Sequence, residues 1–331
     1  MDILVLGGTK FVGRHIVRTA LDQKHQVTLF NRGQTNPDLF PEVEKLVGDR
    51  DGDLAPLRGR TWDAVIDTCG YVPRIVRNSA RVLSNQTDLY VFISTISVFA
   101  SFEKEGLSED DLVGSLADET VEEITSDTYG PLKALCEAAT QDEIPGKSLI
   151  IRPGLIVGPH DPTDRFTYWI RRCAQGGDIL APAPPDQNMQ FIDARDLTSW
   201  TLDMIEAGLT GIFNTTGPEN PHTLGKLLQT CCEFNEEGAR LIWVDGATLL
   251  DAGIDPWSQV PMWLPGPENV GLMAIDCTRA INAGLRFRPL GTTIRDTLNW
   301  DRARDPSVPM KAGLEPSREA ELLELHRKQA Q

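Results

Sequence analysis

The stretch MDILVLGGTKFVG (Met1–Gly13) decides how the whole chain is read. Ile3–Leu6 is a short run without a polar residue, the mark of a strand buried on both faces. Gly7 and Gly8 follow, and from Gly13 to Leu21 the apolar residues recur at helical spacing. A strand, a glycine-rich turn and a helix in that order form the setting in which such a turn cradles a dinucleotide. Gly7 supplies the tight turn, Gly8 lets backbone approach a pyrophosphate, and Gly13 lets the helix sit close to the strand. The N–H groups of Thr9, Lys10, Phe11 and Val12 open the helix, where they point at phosphates. The competing reading is a plain strand-to-helix turn. Lys10 stands where a dinucleotide turn usually has another glycine. Its side chain must point outward, either along the phosphates, where an ammonium is favourable, or into solvent.

Further along, Gln26–Phe30, Lys45–Val47, Asp63–Asp67, Leu89–Ser94 and Ser148–Arg152 read as strands. Ser79–Leu83 and Tyr129–Thr140 carry helical spacing between them. Alternating strands and helices, each strand nearly all apolar, predict an α/β fold with a Rossmann-type, doubly wound parallel sheet. After Pro153 the texture turns Pro- and Gly-rich, with Phe213–Thr216 as one more strand returning to the sheet. From about residue 219 short helices and loops are expected. The predicted division is a dinucleotide-binding domain at 1–158 and about 188–218. A smaller, mixed substrate-binding region takes 159–187 and 219–331. Ser317, Glu319 and the leucines at 322, 323 and 325 predict a capped terminal helix, packed on the body or on a second copy in a homodimer.

Bulk composition narrows the classes. Hydrophobic residues at 40% and charged residues at 24% describe a soluble globular protein. No apolar run is long enough to span a membrane, and no signal peptide is read at the start. Six scattered cysteines form no C-x-x-C pair, so neither a metal site nor a disulfide framework is expected, and a cytoplasmic enzyme is the simplest setting. Net charge is −16, and ten acids against Lys104 put −9 of it between residues 101 and 128, read as a solvated loop face. Such a chain repels phosphate backbones at long range, which argues against nucleic acid as a partner. The expected partner is a small molecule.

The second strand ends in Asn31-Arg32-Gly33, without the carboxylate that favours NAD. Arg32 can pair with a 2′-phosphate, which favours NADP over NAD. Asp49 is placed for the adenine amino group, and Thr68, Cys69 and Gly70 should pass beneath the ribose. Tyr129 and Lys133 lie one helical turn apart. An ammonium beside a phenol stabilises phenolate, so the pair can move a proton to or from a substrate oxygen while nicotinamide exchanges hydride. Ser94 and Thr95 end the fifth strand, at the sheet edge where ligands meet open parallel sheets. A hydroxyl there can donate to a developing oxyanion.

These pieces, "LGGTKFVG", "VFISTISVFAS", "YGPLK", "IIRPGLIVGPHD" and "FIDARDL", resemble the extended short-chain dehydrogenase/reductase superfamily, in its NAD-dependent epimerase/dehydratase branch. The resemblance runs in the family's order from residue 4 to residue 197. It implies Thr95, Tyr129 and Lys133 as the catalytic set, and it places Arg152-Pro153 and Gly158-Pro159 beside nicotinamide and substrate. "GGTKFVG" is also similar to an atypical group that includes chloroplast RNA-binding members. Three departures matter: Lys10 in the glycine turn, Phe99-Ala100 in place of Tyr-Gly, and Ile96-Ser97 in place of the Asp-Glu pair of sugar 4,6-dehydratases. Without that pair, elimination of water lacks its acid and base. The expected activity is therefore NAD(P)-dependent reduction or oxidation at a carbonyl or secondary alcohol. The alternatives are a nucleotide-sugar epimerase with retained NAD, and a cofactor-binding regulatory or RNA-binding protein. His160 and Arg165 are substrate candidates with Ser94. Arg165 serves equally well as an ordinary loop salt bridge. Trp257, Met262 and Trp263 either roof the site or fill the core.

Overall fold

A computed structural model describes residues 1–235 and 238–329. Seven parallel strands form its central sheet. In chain order they are β1 (Asp2–Leu6), β2 (Gln26–Asn31), β3 (Glu44–Val47), β4 (Trp62–Asp67), β5 (Thr87–Ile93), β6 (Ser148–Pro153) and a last strand, Gly211–Thr215. Across the sheet the last strand lies outside β6, followed by β5, β4, β1, β2 and β3. The strand order reverses between β1 and β4, and a crevice opens at the carboxyl ends there.

Alternation along each strand explains why helices cover both faces. Ile3 and Val5 pack with α1 (Phe11–Asp22) through Ile16 and Val17, and with α5 (Ala194–Glu206) through Leu197 and Trp200. Leu4 and Leu6 face the other way, against α2 (Pro73–Leu83) and α3 (Ser126–Glu143), where Val76, Leu83 and Cys136 meet them. All four β1 side chains are fully buried, each contributing roughly 1.5–3 kcal/mol relative to exposure.

A separate apolar core lies C-terminal to the sheet, built from α4 (Arg165–Ala174) and later segments. Met262 and Trp263 belong to that core, so packing explains them. The later part is not only short helices and loops. Ala239–Val244 is a strand, paired in parallel with Gly177–Pro182. Its apolar run was visible in the sequence, but its partner lies more than fifty residues upstream.

The terminal helix, Pro316–Gln329, packs on the body of the chain: Leu322 and Leu323 enter the C-terminal core. Ser317 lies inside its first turn rather than capping it, because Pro316 opens the helix. Glu319 anchors the helix. Its buried carboxylate accepts from Arg172 Nε at 2.6 Å and from the Leu180 backbone N–H at 3.0 Å. Replacing Glu319 with Ala strands a buried N–H and removes the carboxylate partner of Arg172, which keeps its bonds to the Gly176 and Asp178 carbonyls. The change is expected to cost about 2–4 kcal/mol. A urea midpoint that stays at the wild-type value would contradict this.

Candidate active site

The glycine turn closes as the first strand predicts. Gly7 has φ +103° and Gly8 φ +90°, values that side chains resist. A Cβ on Gly7 would meet Thr68 Oγ1 at 2.6 Å, and one on Gly13 would meet the Gly8 backbone at 2.9 Å. Lys10 has φ −134° and ψ 136°, ordinary extended backbone, and caps α1 without a side-chain hydrogen bond. The turn therefore needs no glycine at position 10, and the lysine side chain is exposed. Gly7 through Gly13 line a crevice of about 640 Å³ together with Asn31, Arg32, Asp49, Thr68 and Cys69. This cradle, floored by glycines that cannot carry a Cβ, fits a dinucleotide.

At the far end of the crevice the two arginines differ. Arg50 is committed to Asp67 through two hydrogen bonds of 2.7 and 2.6 Å and to Ser79 at 2.7 Å. Burial disfavours its charge, but the Asp67 carboxylate outweighs that and holds the guanidinium protonated. Arg32 makes no hydrogen bond or ion pair among the described residues. Asn31 braces the site, donating to the Gly7 carbonyl at 2.9 Å and accepting from Gly33 N–H. Asp49 accepts from the backbone of Asp51. The Arg50–Asp67 pair was not anticipated. Its only sequence signal is an acid at the end of β4 and a base after β3, and nothing in their spacing announces contact.

Thr95, Tyr129 and Lys133 meet where β4 and β5 end. Lys133 is buried, and its Nζ donates to the carbonyls of Gly70 and Ile93, each at 2.7 Å. Burial lowers its pKa to about 8. Tyr129 is half-buried, with the Thr95 side chain close enough to influence its phenol. Burial raises the phenol above its ordinary value, and the Thr95 contact pulls the other way. Lys133 thus acts on its surroundings chiefly through carbonyls. The contact between α3 and Thr95 depends on Gly130, where a Cβ would fall 2.0 Å from the Ser97 carbonyl oxygen. The helix start is fixed by Thr125 and Thr128, which exchange side-chain-to-backbone hydrogen bonds in a capping box. Tyr71, not singled out from the sequence, lines the crevice with its ring 6.4 Å from that of Tyr129 and 5.3 Å from Lys133 Nζ.

The remaining candidates are dispersed. Ser94 is buried and donates to Glu137, which in turn is gripped by Arg152 Nε and Nη2. Pro153 ends β6 in register with Thr215, outside the crevice lining. Gly70 also lies outside that lining and serves through its carbonyl. His160, at φ +71°, packs against Trp300 and His15 in a neighbouring cavity, and its pKa falls to about 4, chiefly through burial. Arg165 lies over the Trp257 ring at 5.1 Å. No cluster of three or more metal-ligating side chains lies among the described residues. No helix among them is long and apolar enough to cross a membrane.

No family model matches the chain. Over 250 residues it is 26% identical to the chloroplast stem-loop binding protein of 41 kDa b of Arabidopsis thaliana, a match covering 70% of this chain and 62% of that protein. It therefore spans less than two thirds of that relative's length. It is 25% identical to the probable low-salt glycan biosynthesis reductase of Haloferax volcanii, covering 77% of this chain and 84% of that one. The UDP-glucuronic acid 4-epimerase of Bacillus cereus, solved in complex with NAD, superposes with a TM-score of 0.67 at 16% identity, over 91% of this chain and 96% of that one. At that identity the structural likeness is one of fold. The chain thus shares the fold of a solved NAD-dependent epimerase, and its sequence is similar to a probable reductase.

Proposed function

We propose that the chain is an NADP-preferring oxidoreductase acting on a carbonyl or secondary alcohol of a small molecule, with Tyr129 as acid and base. The observation that carries this reading is the contact of Tyr129 with Thr95 beside a buried Lys133, at the carboxyl edge of the sheet and next to the crevice. When bound, nicotinamide supplies or accepts the hydride. Gly7 to Gly13 would hold its pyrophosphate, and the region of residues 159–187 and 219–331 would supply the substrate side.

The chain's own groups divide the proton work. A phenol held above its ordinary pKa keeps its proton at neutral pH, which suits an acid that protonates the oxygen of a carbonyl under reduction. Thr95 would hold that oxygen by hydrogen bonding. An ammonium has three N–H donors, and Lys133 uses two on carbonyls. The third is available to a ribose hydroxyl. Arg32 is the free guanidinium at the adenosine end, where a 2′-phosphate would meet it.

Tyr129→Phe is expected to lower kcat by 10²- to 10⁴-fold, roughly the worth of one acid/base group, while cofactor affinity stays within about twofold. Near-normal turnover would reject tyrosine acid catalysis. Arg32→Ala should weaken NADPH binding by about tenfold or more and leave NADH binding nearly unchanged. Equal effects on both cofactors would remove the NADP preference. Lys133 carries its charge below pH about 8 and loses it above. The reduction rate should therefore fall as pH rises through about 8, and a profile flat from about pH 6 to about pH 10 would contradict the role given to that ammonium. Mass spectrometry of cofactor released from the purified protein separates the runner-up. Retained NAD without net redox turnover would favour a nucleotide-sugar epimerase.

A further inference from the structure

Beside the glycine turn lies a second cavity of about 270 Å³, walled by the start of α1, the loop at residues 160–164 and the segment at 300–311. Four basic side chains line it, Lys10, Arg14, Arg304 and Lys311, against two acids, Asp161 and Asp164. That balance is unusual on a chain of net charge −16. Most arginines elsewhere are paired with carboxylates. Here Arg304 holds Asp164 at 2.5 Å, and the Lys311 backbone N–H caps the same carboxylate at 3.1 Å. The side chains of Lys10, Arg14 and Lys311 have no hydrogen bond or ion pair among the described residues. Four cations against two carboxylates leave an excess of two positive charges around one cavity, and a bound anion would relieve that.

We propose that this cavity is an anion site that takes a phosphate group, separate from the dinucleotide crevice. Arg14, Arg304 and Lys311 line this cavity and not the crevice, whereas Lys10 lines both. Desolvation and the neighbouring Arg18 already depress the Arg14 guanidinium, the condition of a partly buried cation without a counter-charge. The Arg304–Asp164 pair fixes the floor, so the free cations face a preformed wall. Trp300 and His160 supply aromatic surface on the same cavity. A phosphate ester with a flat ring would find contact there, and free phosphate would use the cations alone. The site does not depend on which reaction the crevice performs.

The test is calorimetric titration of the full chain with orthophosphate, at constant ionic strength set by chloride. It is run with and without saturating nicotinamide cofactor, and repeated with AMP under saturating cofactor. Saturable phosphate binding that survives cofactor is expected. Arg14→Gln and Lys311→Glu should each weaken it about tenfold or more, with cofactor affinity within twofold of wild type. Lys311 is exposed, so its variant should fold whatever Arg14→Gln does. AMP tighter than orthophosphate would assign a ring-bearing ester, and equal affinities would assign free phosphate. Displacement of phosphate by cofactor would overturn the proposal, since the anion would then sit in the crevice. So would no binding above the chloride control, or wild-type affinity in Lys311→Glu. The Lys311→Glu comparison needs no cofactor, so failure of the proposed activity leaves it intact.

Discussion

One buried ammonium organises the candidate site of this molecule. Lys133 has left water and lies between the carbonyls of Gly70 and Ile93, tying the turn after β4 to the end of β5. An unpaired charge in that position would be prohibitive, and the two carbonyl dipoles make it tolerable. The cost persists as a pKa lowered to about 8. The arrangement holds only if Gly70 presents its carbonyl correctly. That orientation is set by Asp67, whose carboxylate accepts from the Cys69 N–H, from Tyr90 and from both terminal nitrogens of Arg50. Arg50 lines the crevice. The wall of the crevice and the lysine beside Tyr129 are thus joined by one continuous chain of hydrogen bonds and backbone.

What could be read from the sequence divides along physical lines. The sheet was legible because its strands are buried on both faces and appear as unbroken apolar runs. All seven predicted strands agree with the observed ones within two residues at either end. The glycine turn was legible because each glycine answers a steric demand that no other residue meets. Lys10 is consistent with the same logic, since its backbone makes no such demand. Buried polar pairs were not legible. Arg50 with Asp67, and Arg152 with Glu137, join residues on different elements, and charge identity alone cannot tell a buried pair from two solvated groups. Tyr71 was missed because a single aromatic after a strand has no periodicity to mark it.

The acidic stretch from 101 to 128 shows how composition misleads locally. Most of its acids are exposed, as a solvated face requires, but Glu109 is buried and accepts from the Asn214 backbone N–H at 2.8 Å. Arg152 donates to the Glu109 carbonyl while gripping Glu137. Glu137 also receives the Ser94 hydroxyl, so the acidic segment is stitched to the residue next to Thr95. Its far end reaches the crevice. Ile124 lines it, and Arg74 bridges Glu122 of the segment to Asp51 of the crevice wall. A stretch that looks like solvent-facing filler is pinned at both ends of the site.

The two titrating groups of that site are displaced in opposite directions by the same cause. Burial raises the Tyr129 phenol and lowers the Lys133 ammonium, because each loses water around its charged form. In water a phenol and an ammonium have similar proton affinities, the ammonium slightly the higher. Here the order is inverted: the proton rests more firmly on the phenol than on the amine. A phenolate beside a marginal ammonium is then a poor resting state, and the neutral phenol is the form the site stores. A proton leaves that phenol readily only when a new negative charge appears next to it, as on the oxygen of a carbonyl receiving hydride. In the proposed reduction, that bias against phenolate would couple proton movement to the developing oxyanion, with Thr95 close beside the Tyr129 phenol.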